Sequence, residues 1–342
     1  MYVLWTVAAP FFAGGMGDHR WIDDFVPPGI DRFRKMPEPL GSNDTWHSRA
    51  GRGTPLAGWA RTWRHSVAAL AGTDGLVTVF PQLALTGAIQ RDLYYRRTPI
   101  VAWCFNLGAL PTGAKRAAAR IALKRIERIV VHSAGEVPLL QEFLGTADGV
   151  VQFVPLQRAP IPVLAAENEV QPFIVAMGSA NRDYRTLFEA ARRTKLPLTV
   201  VAAQRTVEGL NAPPNVTVLS NQTAEACWEL VQKARFSVVP LADVEAASGQ
   251  VTVIEAMRMN RAVIATRSMG TLDYVEDGVT GVLVPPMDVE TLSAAMERLW
   301  YTPAERHKLS TAASEFAEQV LSDTAAGRTL ARILKEARDA RS

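Results

Sequence analysis

Cysteine is nearly absent: two thiols, Cys104 and Cys227, stand far apart in 342 residues. They supply no disulfide framework, and so sparse a pair reads as reduced core residues of a cytoplasmic protein. Long apolar runs are missing too. No stretch reaches the ~20 residues that a membrane-spanning helix needs. The apolar start, Met1–Phe12, lacks the basic flank and cleavage site of a signal peptide, so it reads as a first strand. There is no HExxH, no pair of CxxC and no Walker loop, so none of those chemistries has a foothold. Neither sign of charge is in large excess, the net being +3. The balance is uneven: basic up to Ala165, slightly acidic after it, which suits an acidic acceptor or a membrane surface at the front. The basic residues come with no aromatic platform and no recognition motif, so no nucleic-acid partner is expected.

What is present is a repeated alternation of short apolar runs and helical patterns. Tyr2–Ala8, Gly75–Pro81, Pro99–Phe105, Ile129–Ser133 and Val151–Pro155 read as buried strands of a first domain. Phe173–Met177, Leu198–Ala202, Val216–Leu219, Phe236–Pro240 and Arg261–Thr266 do the same for a second. Helical patterns lie between them, and such alternation predicts α/β architecture with doubly wound parallel sheets. Pro27–Gly58, rich in Pro, Gly, Ser and charge, is expected to be unpacked, either a lid or disordered, with Trp46, His47, Arg49 and Arg52 facing an acceptor or simply solvent. Thr112–Arg128 is expected to be one helix with Arg116, Arg120, Lys124 and Arg128 in a positive stripe, either a solvated face or a contact for an anionic membrane. Ser133 with Glu136 has capping-box spacing. His132 and Trp228 read as structural residues. Gln157–Gln171, with its prolines, reads as the linker.

Val239–Pro286 carries the most chemistry. A small-residue loop, Ala246-Ala247-Ser248-Gly249-Gln250, enters a helix over Val251–Asn260. The N–H groups of Gly249, Gln250, Val251 and Thr252 then lack helical acceptors and, with the helix dipole, suit a diphosphate. Glu255, one turn on, can accept hydrogen bonds from the vicinal hydroxyls of a ribose. Near the amino terminus, Gly14 and Gly15 follow the first strand in a turn that either approaches a phosphate or is plain. Asn106 ends the Pro99–Phe105 strand, the end at which such sheets hold ligands.

The stretch resembles the donor-binding signature of retaining, group-1 (family 4-like) glycosyltransferases of GT-B fold. The matching residues are Ile254-Glu255-Ala256-Met257, Arg261–Thr266, Asp273–Gly278 and Thr280–Pro286. The family pairs two glutamates; Glu255 is the second, while Ala247 occupies the place of the first and Glu245 is two residues out of register. In the family's Gly-Arg-x4-Lys loop, Gly178 is matched, Ser179 stands at the Arg position and Arg182 at the Lys position. The resemblance implies that Arg182 neutralises the leaving diphosphate, Glu255 holds the ribose, and Gly14, Gly15, Gly178, Ser179 and Ser248–Thr252 line the donor. Asn106 stands where relatives carry a His or Asp beside the reacting sugar. It implies retention of configuration, a nucleotide-sugar donor, a saccharide, lipid-linked or other hydroxyl acceptor, and neither cofactor nor metal. The expected organisation is an acceptor domain at 1–165, a donor domain at 166–323, and a last helix at 324–342 that packs back on the first domain. Ala247 also keeps open a reading without turnover, in which the chain grips a nucleotide or a partner enzyme. A nucleotide-sugar epimerase would need an acid–base pair that the motifs do not offer.

Overall fold

A computed structural model describes residues 2–13, 20–38, 56–95, 97–105, 113–242 and 244–341. They form two compact units, residues 1–154 with 326–342, and residues 155–325.

The first unit contains β1 (Val3–Ala13), β2 (Asp31–Glu38), α1 (Leu56–Leu70), β3 (Gly75–Val79), α2 (Pro81–Tyr94), β4 (Ile100–Trp103), α3 (Gly113–Leu123), β5 (Arg128–Val131), α4 (Glu136–Leu144) and β6 (Val151–Phe153). The strands pair in parallel in the order β2-β1-β3-β4-β5-β6. Apolar cores cover both faces, which is why β3 and β4 are buried along their whole length rather than alternating. The second unit contains β7 (Ile174–Met177), α5 (Tyr184–Thr194), β8 (Leu198–Val201), α6 (Gln204–Val207), β9 (Val216–Leu219), α7 (Ala224–Lys233), β10 (Phe236–Val239), α8 (Gln250–Arg258), β11 (Ala262–Thr266), β12 (Val282–Val284), α9 (Val289–Tyr301) and α10 (Pro303–Val320). Its sheet is also parallel, in the order β12-β11-β10-β7-β8-β9, with a core on each face. These are two Rossmann-like doubly wound domains.

The last helix, α11 (Asp323–Asp339), belongs largely to the first unit. Ala326, Leu330, Ile333, Leu334 and Ala337 recur on one helical face and pack with Trp5, Val7, Trp103 and Val130. Glu336 accepts from Arg128 Nε at 3.0 Å and Gln152 Nε2 at 2.7 Å, and Arg338 pairs with Asp31.

Several expectations change. The stretch expected to be an unpacked lid contains β2, which pairs with β1 along the sheet edge. An edge strand tolerates Arg32, Arg34 and Lys35 because one of its sides needs no partner strand. The basic helix ends at Leu123, and Arg128 lies in β5 facing Glu336, so the four-residue stripe is broken. Arg116 lies over the Phe143 ring at 5.4 Å, turned towards α4. The helix expected from Ser133 starts at Glu136 with Gly135 as its cap. The segment expected to be a linker packs into the second unit. Arg158 N donates to Leu321 O at 3.0 Å, and the Leu164 and Ala165 N–H groups donate to Gln232 Oε1.

Candidate functional site

Four loops at the carboxyl ends of the second sheet meet around the start of α8. The loop after β7 turns at Gly178, whose φ is 109°. A side chain there would collide with Arg182, since a Cβ would lie 2.6 Å from Nη2. The guanidinium folds back beneath the turn. Its Nε donates to Met177 O at 2.9 Å, Nη1 to Ala180 O at 2.7 Å and Nη2 to Thr252 Oγ1 at 2.9 Å. Burial pulls its pKa below the usual range, with Tyr184 opposing. Among the described residues, each of these acceptors is a neutral oxygen, two carbonyls and a hydroxyl. Tyr184 Oη donates to Gly178 O at 2.6 Å and fixes the same turn.

The loop after β10 lies against this one. Asp183 N donates to Pro240 O at 3.1 Å, Ala242 N to Asn181 O at 3.3 Å, and Asn181 Nδ2 to Ser248 Oγ at 2.6 Å. The loop after β11 closes from the other side: Met269 N donates to Val244 O at 2.8 Å. Gly270 sits so close that a Cβ would lie 2.0 Å from Ser248 O. From the β8 side, Ala203 N donates to Ser179 Oγ at 2.8 Å.

Gly249 caps α8 in the left-handed region, φ 89°. Gln250, Val251 and Thr252 form the first turn, where the helix supplies their N–H groups with no acceptor. Thr252 and Glu255 are three apart and share a face. The Glu255 carboxylate pairs with Arg158. Cys227 lies near it, its thiol pushed up by burial and by that carboxylate. The arrangement therefore offers a partial positive charge at a helix start, a guanidinium bonded to that turn, and a carboxylate one turn further. It can take a diphosphate and a vicinal diol in sequence.

Of the residues expected to bind donor, Gly178, Ser179, Arg182, Ser248, Gly249, Gln250, Val251, Thr252 and Glu255 lie in these loops or the α8 turn. Gly14, Gly15 and Asn106 fall outside the described residues, as do His19, a ligand candidate that follows the Gly14-Gly15 turn in sequence, and Trp46, His47, Arg49 and Arg52. Asn181, Tyr184, Gly270 and Arg158 were not singled out by sequence. Asn181 sits within the Gly-Ser-Ala-Asn turn and was the most accessible of them; Arg158 is 97 residues from its partner and left no local signal. Asp277 and Thr280, inside the signature, are structural: Leu283 N donates to Asp277 Oδ1 at 2.9 Å and Glu276 N to Thr280 Oγ1 at 2.9 Å.

Residues 171–301 match the family model "Glycosyl transferases group 1". The match lies wholly within the second unit and holds the α8 loop and Glu255. A curated relative, alpha-D-kanosaminyltransferase of Streptomyces kanamyceticus, is 34% identical over 86 residues, which is 25% of this chain and 22% of that protein's length. Among solved structures, Alr3699/HepE of Anabaena in complex with UDP-glucose has a TM-score of 0.72 at 13% identity, covering 98% of this chain and all of the other. Sucrose-phosphate synthase from Thermosynechococcus elongatus has a TM-score of 0.72 at 18% identity, covering 98% of each chain. At these identities the likeness shows the fold, that of GT-B glycosyltransferases.

Proposed function

We propose that the chain is a glycosyltransferase that moves a sugar from a nucleotide-sugar donor to a hydroxyl acceptor, with retention of configuration and without a metal ion. The observation that carries this is the α8 start. Arg182 bonds Thr252 in the turn that Gly249 opens, with Glu255 on the same face, and the group-1 match covers these residues. The first-turn N–H groups and Arg182 hold the diphosphate and stabilise the charge it gains on leaving. Glu255 accepts the ribose hydroxyls. The acceptor oxygen attacks the anomeric carbon from the face on which the sugar–phosphate bond breaks, and its proton passes to the departing phosphate oxygen. Retention follows from that same-face path, and the protein supplies positioning rather than a base.

The acceptor is a saccharide, a lipid-linked sugar or another hydroxyl compound. Arg120 and Lys124 remain exposed at the end of α3 and offer a small basic contact for an anionic surface. Among the described residues no helix is long and apolar enough to cross a membrane. The test is release of nucleoside diphosphate from UDP-, GDP-, ADP- and dTDP-sugars with a panel of acceptors, in EDTA. The product's anomeric proton coupling is read by NMR. Transfer with the donor's configuration supports the proposal; inversion, or strict dependence on a divalent cation, overturns those parts of it. Binding without transfer to any acceptor would favour the reading without turnover that Ala247 allows.

A further inference from the structure

A second cavity opens at the amino ends of the same sheet, opposite the donor loops. Its volume is about 240 Å³, far above the ~10–15 Å³ that one water requires. Arg235, Arg261, Arg306, His307 and Ser310 line it together with two carboxylates, the half-buried Glu167 and the exposed Glu169. Arg235 immediately precedes β10 and Arg261 immediately precedes β11, while Arg306, His307 and Ser310 come from the first half of α10. Three guanidiniums therefore converge on one hollow from three separate elements.

Part of their hydrogen-bonding capacity is spent on helix ends. Arg261 donates to Gln232 O and Asn260 O, and Arg306 Nη1 donates to Leu299 O at 2.7 Å and Trp300 O at 3.1 Å. The rest is not. Arg235 stacks on Trp300, 4.2 Å from the ring centre, its Nη1 reaches Trp300 O only at 3.4 Å, and its Nε is buried with no hydrogen-bond partner. Arg306 Nη2 and Arg235 Nε lie 3.6 and 3.8 Å from the same Glu167 oxygen, too far for a hydrogen bond from either. Glu167 thus offsets charge between two arginines and satisfies neither donor. Burial also pulls Arg261 and Arg306 below their ordinary pKa, a strain that a bound anion relieves. The start of α10 adds the positive end of its dipole.

We propose that this cavity binds a phosphate group, free or as the ester of a small metabolite, between Arg235 and Arg306, displacing Glu167. A planar guanidinium can give a phosphate two parallel N–H···O bonds, and a Trp-stacked Arg is already ordered for the task. Helix α8 runs from Gly249, at the donor loops, to Arg258, and Asn260 and Arg261 then enter the cavity lining. The cavity thus adjoins the amino end of β11 and the residues that follow α8, the helix whose start forms the candidate donor site.

The test is isothermal titration of the full chain with inorganic phosphate and with a hexose 6-phosphate, against KCl of equal ionic strength. Far-UV circular dichroism checks that each variant is folded. Arg235→Gln and Arg306→Gln should each weaken binding roughly tenfold, as expected for a lost charge-assisted hydrogen bond. Glu167→Gln should tighten it several-fold by removing the competing carboxylate, which keeps the test decisive if an arginine variant misfolds. Tighter binding of the ester than of inorganic phosphate identifies a phosphomonoester as ligand, and equal affinity identifies the free ion. Heat no greater than with KCl, or an affinity unchanged in Glu167→Gln and Arg306→Gln, would overturn the proposal. So would an affinity lost in Arg182→Gln but kept in Arg306→Gln, which would put the ion in the donor loops and leave the donor reading standing.

Discussion

Arg182 carries its charge to the first turn of α8 through a single hydroxyl, that of Thr252, while its other donors hold the Gly178 turn in shape. A lysine keeps the charge and loses the fork. Arg182→Lys is therefore expected to cost about 1–3 kcal/mol of stability, read by denaturant unfolding, and to weaken donor binding by an order of magnitude. A stable variant with unchanged donor affinity would mean that the guanidinium geometry is irrelevant. Two buried titrating residues set another expectation. Burial pushes Asp23 up to about 6, against Lys35, and holds His132 down at about 4, with its Nδ1 bonded to Val154 O at 2.7 Å. Between pH 4 and 6 the folded chain holds Asp23's proton more tightly than the unfolded chain does, so this residue lowers stability as pH rises. His132 acts with the opposite sign, its neutral folded form losing stability as pH falls from 6.5 towards 4. Asp23→Asn removes the first effect and leaves the second. The variant should be more stable than wild type at pH 7, by about 1–2 kcal/mol after allowance for solvent screening, and should lose stability more steeply on acidification. Parallel pH profiles for the two proteins would contradict these assignments. At this scale Glu255 and Arg182 were legible because a signature and a residue count place them. Arg158 and Asn181 were not, because their partners are brought near only by tertiary structure.

Helices and strands were legible where pattern and burial agree. The apolar runs of β3, β4, β10 and β11 are buried from end to end, as their composition requires. β2 was hidden because an edge strand carries charge, and α3 was overextended because Arg128 continues a four-residue spacing into a strand. The most demanding element contact is one that no local pattern announces. Arg91 on α2 is fully buried and donates to Glu127 at 3.1 and 3.2 Å, and Glu127 also accepts from Ile100 N at 2.7 Å and Arg341 Nη1 at 2.9 Å. This carboxylate joins α2, β4 and the segment after α11. Glu127→Ala leaves the buried Arg91 with Asp92, 2.7 Å from its Nε, as its remaining carboxylate and strips Ile100 N of its acceptor; it is expected to cost about 2–4 kcal/mol, measured as a fall in the denaturant midpoint. A loss below 1 kcal/mol, the range of surface pairs, would show that water reaches Arg91.

Across the whole molecule, the sequence announced two rounds of strand–helix alternation, and the structure contains two parallel sheets, each with its own pair of cores. It announced chemistry unevenly. The donor signature is concentrated in the second unit because backbone N–H groups, tight turns and one carboxylate must occupy fixed positions there. The sequence of the first unit carries no motif of comparable extent. Everything proposed for this molecule depends on a nucleotide-sugar site at the α8 start, with Arg182 and Glu255. The most direct measurement is calorimetric titration of wild type and Glu255→Ala with UDP-, GDP-, ADP- and dTDP-sugars. One nucleotide class is expected to bind wild type, and Glu255→Ala to weaken it at least tenfold while leaving the fold intact, since a carboxylate holding ribose hydroxyls is worth about 1.5–3 kcal/mol. Binding of no nucleotide by wild type, or equal binding by both proteins, would contradict the presence of that site.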